Sequence, residues 1–164
     1  MKLNLALEQV QEAERGLFEE LVTIAERHAA ESDVYHVAKT LAARCALQLE
    51  LLRPHATRYN AADASIEEPS DQAPDVLERV RRLASELIGQ HEVAGMLLLD
   101  DLRGLYLTAH RAELAWIVLQ QGAKAAGDAE LLAATTKGCE EAERRWKWVR
   151  TKVKDASPQL LVAG

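Results

Sequence analysis

The sequence predicts an all-α chain, a four-helix bundle in which one long crossover joins two helical hairpins. Aromatic residues make up only 4% of the chain, so Leu and Ala must supply most of the packing, and strand-favouring residues are scarce beside good helix formers. Apolar residues recur at three- and four-residue steps in long runs, the signature of helices with one buried face. The runs pair across short turns, and the long stretch from Arg58 to Gln90 separates the two pairs.

The first helix is expected from about residue 4 to 30, with Asn4 as N-cap and Leu7, Val10, Leu17, Leu21 and Ile24 on its apolar face. Ser32 and Asp33 offer the next N-cap. Val34, Val37, Leu41, Cys45, Gln48 and Leu52 then share a face until Pro54 appears near the end. Residues 56 to 73 lose this periodicity and gather Asn, Asp, Ser and Pro, so they read as a surface connection. Pro74 suits a first helical turn, and Leu77, Val80, Leu83, Ala84, Leu87 and Ile88 predict an extra short helix within the crossover, ended or kinked near Gly89.

A third long helix is expected from His91 to about Gly122, with its strongest stripe at Leu98, Leu102, Leu105, Ala109, Ala112, Trp116 and Leu119. Leu99, Tyr106, Leu107, Leu114, Ile117 and Val118 lie off that stripe. This second apolar side predicts burial against the crossover helix, the tail or a second copy of the chain, and makes dimerisation the expected self-association. Gly127 and Asp128 open the last helix, whose expected face is Leu132, Thr135, Cys139, Ala142, Trp146, Val149 and Val153. Ser157 and Pro158 mark its stop, giving a single bundle domain over 1–156 and a tail over 157–164.

Composition narrows the function classes. With 164 residues, 48% hydrophobic and 28% charged, the chain has the makings of one core without disulfides or structural metals. Cys45 and Cys139 lie among apolar neighbours and read as buried thiols. Met1 to Leu7 carries one Lys and no long apolar run follows, so the expectation is a cytoplasmic protein without a membrane association. A net charge of -6 argues against general nucleic-acid binding, although Arg144, Arg145, Lys147, Arg150, Lys152 and Lys154 gather near the end.

The hairpin order and the single crossover resemble the ferritin-like four-helix-bundle superfamily over most of the chain. Members of that superfamily often hold metal on carboxylates and histidines inside the bundle, so the resemblance implies a site for Fe, Mn or Zn. Glu14 or Glu19 would supply the first helix's ligand, His110 and Glu113 the third's, and Glu140 and Glu143 the fourth's. The second helix reads Cys45-Ala46-Leu47-Gln48 where the resemblance asks for an acidic residue and a histidine, so the metal motif is largely absent. Glu140 and Glu143 equally suit helical ion pairs with Arg144 and Lys147. His110 and Glu113 equally suit a polar contact between helices, and Asp100 or Asp101 a salt bridge to Arg44 or Arg111.

A separate cluster is expected at the bundle end, where topology brings His28, His36 and His91 together. Three neutral imidazoles can coordinate a transition metal, while helix-end capping by His28 with exposed His36 and His91 is the other reading. Trp116, Cys139 and Trp146 are expected as structural packing residues, with Trp146 a buried anchor. Tyr106, Leu114, Ile117 and Trp148 are the expected interface. No phosphate loop, His-Glu-x-x-His run, CxxC pair or nucleophile elbow is present, so an enzyme is not expected. The leading reading is a non-catalytic helical interaction or stress-associated scaffold protein, and the alternative is a ferritin-like metal-binding or oxidase-related protein.

Overall fold

The computed structural model describes residues 2–62 and 91–162. Among them are four helices, α1 (Leu3–Arg27), α2 (Ser32–Arg58), α3 (His91–Ala126) and α4 (Ala129–Leu161), and no strand. The short crossover helix expected from Pro74 to Gly89 lies outside the described residues, as does the side chain of His91.

Helix α1 packs beside α2 and α3, and α4 completes the square beside α3 and α2. Contacts fix the directions. Arg27 at the end of α1 pairs with Asp101 near the start of α3, while Leu3 lies beside Gly122 near the end of α3, so these helices run antiparallel. The N–H of Ala62, just past α2, donates to Glu8 Oε1 at 3.2 Å, which puts the end of α2 beside the start of α1. Helix α3 therefore begins at the end of the bundle that holds the α1–α2 turn. The connection between α2 and α3 has to travel the length of the bundle, which is the expected one-crossover architecture.

The faces of α1 and α3 match the expected periodicity. Leu7, Val10, Leu17, Leu21 and Ile24 are buried, and so is every residue of the stripe from Leu98 to Leu119. The face of α4 matches only in part, at Thr135, Ala142 and Val149. Its buried residues are Leu131, Ala134, Thr135, Gly138, Glu141, Ala142, Arg145, Val149 and Ala156, while Leu132, Cys139, Trp146 and Val153 are only half-buried on its flank. The large apolar side chains drew the expected face toward that flank. Gly138, Glu141 and Arg145 carry no hydrophobic signal, yet they point inward.

Helix ends also differ from expectation. Asn4 does not cap α1, which begins at Leu3 after Lys2, and the residue before α2 is Glu31, with no side-chain cap. Pro54 and Pro158 lie inside helices although each removes a backbone donor. Tertiary anchors hold both last turns. Ala56 is buried and Tyr59 reaches Asp128 beyond Pro54, whereas Leu160, beyond Pro158, packs against Gly95 so closely that a Cβ there would overlap it.

The α3–α4 turn is the best-defined junction. Gly127 takes a left-handed φ of 68°, and its neighbour's N–H, that of Asp128, bonds back to the Ala123 carbonyl at 3.1 Å. The Asp128 carboxylate accepts from the N–H of Leu131 at 3.0 Å and from the Tyr59 hydroxyl at 2.7 Å, and also pairs with Arg58. The backbone bond first, then the Tyr59 hydroxyl, holds its pKa below the ordinary value, and the same contact raises the Tyr59 phenol. Asp128→Ala is expected to cost about 1–2 kcal/mol, measured by urea unfolding at neutral pH. A depressed folded-state pKa means the unfolded chain binds the proton more readily. The contribution is therefore complete above the usual carboxylate range near about pH 4 and is lost as pH falls through the lower folded value. An acid titration of stability should show the two proteins converging in that window.

Candidate functional site

Two apolar clusters fill the bundle, one around Leu17, Leu41, Leu102 and Val149, the other around Leu7, Leu52, Trp116 and Leu131. A polar layer lies between them. Glu14 projects from α1 and Arg145 from α4 across the diagonal, both fully buried. Arg145 Nη1 donates to both Glu14 oxygens, at 2.9 and 2.8 Å, and Trp116 Nε1–H from α3 donates to Glu14 Oε1 at 2.6 Å. Cys45 of α2 completes the set, its Sγ 3.5 Å from Arg145 Nη1. Each helix thus contributes one residue to this centre.

Both partners of this ion pair are buried. Burial is the largest single influence and works against the charge on Arg145, but the charge and hydrogen bond of Glu14, together with Cys45 and Glu141, raise the guanidinium's pKa overall. Burial, followed by the Glu14 charge, pushes the Cys45 thiol well up, so it stays protonated and poorly nucleophilic. Glu141, one helical turn before Arg145, accepts from Arg44 at 3.1 Å and from Arg144 at 3.2 Å. A guanidinium never gives up its proton near neutral pH, and Glu14 already receives three hydrogen bonds.

The other nominated residues are dispersed. Glu19, Glu140 and Glu143 are exposed, and Glu143 pairs with Lys147 at 2.5 Å, the helical interaction its spacing allowed. His110 and Glu113 do meet, at 3.0 Å, but on the outer α3–α4 seam. There the other Glu113 oxygen accepts from Trp146 Nε1 at 2.8 Å and the His110 ring stacks on Trp146 with centroids 4.8 Å apart. Trp146 is half-buried and not the covered anchor that helical spacing suggested. Trp148 is half-buried as well, and both pack on the margin of the first cluster. Trp116 holds the interior position instead, seated where Gly138 leaves room for its ring.

At the bundle end His28 is buried with Nε2 2.7 Å from Asp101 Oδ2, and Arg27 holds the other oxygen at 2.6 Å. His36 is exposed, and its ring meets Tyr35 edge-on. Asp101 takes Arg27 and His28 as partners in place of Arg44 or Arg111, because α1 and not α2 lies beside this part of α3. Among the described residues no three His, Cys, Asp or Glu side chains converge as a metal-binding group.

Comparison with protein-family models, with curated proteins and with solved structures finds no match to this chain. Its bundle geometry is the basis for any functional reading. Sequence reasoning nominated Glu14 but missed Arg145, Cys45 and Glu141 as its neighbours. The available signal was Arg145 itself, which lies four residues before the buried Val149 and three after the buried Ala142, on a helix face that buries mostly small residues.

Proposed function

We propose that this chain is a non-catalytic helical interaction protein of the cytoplasm that associates with a second copy through the outer face of α1 and α3. One observation carries the reading. Leu114 and Val118 are 62% and 50% exposed beside a groove whose floor is the small residues Ala13, Gly16 and Ala115. Its rim bears both signs of charge, Glu12 and Glu19 with Arg15 and Arg111. An interface related by a two-fold axis meets itself, so an apolar centre with a rim of mixed sign suits it, whereas a rim of one sign would repel. Ile117, 39% exposed, extends the apolar surface along α3. No helix among the described residues is long and apolar enough to cross a membrane.

Sedimentation velocity over a concentration series tests this reading. Wild type is expected to dimerise, and Leu114→Glu combined with Val118→Glu is expected to leave a folded monomer, because each dimer would bury four unpaired carboxylates. A monomeric wild type, or a variant that still dimerises, overturns it.

The ferritin-like metal-binding or oxidase-related alternative draws its support from the crossover topology and from Glu14 at the bundle centre. It ranks second because Arg145 already fills the cation position beside that carboxylate. Fe, Mn or Zn found at stoichiometric level in untagged protein, with ferrous-iron oxidation, would reverse the order.

A further inference from the structure

Resting on the reading of the chain as an interaction protein, we propose that a second face, the cleft between α3 and α4, docks an acidic peptide segment of a partner that presents an aliphatic side chain between carboxylates. The cleft measures about 330 Å³ and is lined by Tyr106, Leu107 and Val153 with Arg103 and Arg150 beside them. Its apolar floor takes one or two aliphatic side chains, and the two guanidinium groups set the sign of what flanks them.

The charge is notable because the chain as a whole carries -6. Several nearby cations of α4 already have carboxylate partners: Arg145 pairs with Glu14, Lys147 with Glu143 and Lys152 with Asp33, while Arg144 shares Glu141 with Arg44. Arg150 has no carboxylate partner among the described residues and rests over the Trp146 ring at 4.9 Å, which holds it beside the cleft. Among the described residues Arg103 pairs only with the exposed Asp100, at 3.4 Å. Two geometric facts favour a peptide over other anions. Base stacking needs an open aromatic face, and Trp146 is already faced by His110 and by Arg150. A flat anionic membrane surface extends past the cleft and would also meet the exposed carboxylate of Glu140 on α4.

The test uses ¹⁵N-labelled full chain titrated with the peptide acetyl-Asp-Glu-Leu-Leu-Glu-Asp-amide, followed by amide shifts, with sedimentation of the same samples. Saturable shifts confined to residues 103–107 and 147–154 are expected, and Arg150→Glu should weaken binding roughly tenfold or more while leaving circular dichroism and self-association unchanged. The lysine-substituted peptide, acetyl-Lys-Lys-Leu-Leu-Lys-Lys-amide, should give no such shifts. Three results overturn the proposal: no localised shift up to about 1 mM peptide, equal binding by Arg150→Glu, or shifts centred on the Ala13, Gly16 and Leu114 groove. Self-association is read separately in the same tubes. A monomer that binds the peptide sinks the dimer reading alone, and a dimer that ignores it sinks this one alone.

Discussion

Arg145→Met is expected to destabilise the bundle by about 3–5 kcal/mol, because it leaves the Glu14 carboxylate fully buried without its counter-charge. Natural domains have only about 5–15 kcal/mol of stability, so the variant should sit close to the unfolding threshold. Glu14→Gln in the same background should recover part of the loss. The amide carbonyl still accepts from Trp116 Nε1–H, and no buried charge remains. Urea unfolding of wild type, the single and the double variant measures both effects. A single variant within about 1 kcal/mol of wild type would show that the ion pair does not hold the centre.

Trp116→Ala should cost about 3–5 kcal/mol, the range for emptying a fully buried aromatic site. The loss has two physical parts. The ring fills the space opposite Gly138, where any Cβ would overlap it, and its Nε1–H supplies one of the hydrogen bonds to Glu14. Trp146→Ala should cost distinctly less, since its indole is half-buried and its partners Glu113, His110 and Arg150 all lie near water. Paired denaturant curves at matched concentration decide the ranking, and a larger loss at Trp146 would contradict it. Gly138→Ala offers a check on the packing term alone, with an expected cost of about 1–3 kcal/mol from overpacking.

The sequence by itself determined the bundle: helices, hairpins, crossover and the buried stripes of α1 and α3 follow from spacing alone. In α1 and α3 the inward positions are almost all Leu, Ile, Val, Ala or Trp, so hydrophobic periodicity and burial coincide. Tertiary structure decided the rest. Helix α4 turns Arg145 and Glu141 inward, which its own sequence disfavours, because Glu14 and Arg44 on other helices supply their counter-charges. Those partners lie far away in the chain, and no local pattern announces them. Pro54 and Pro158 stay inside helices for a similar reason, as contacts from neighbouring helices outweigh a missing local hydrogen bond. The sequence offered Glu14 or Glu19 as the inward carboxylate of α1, and only the packed bundle shows that it is Glu14 and that the cation meeting it is a side chain of the protein itself.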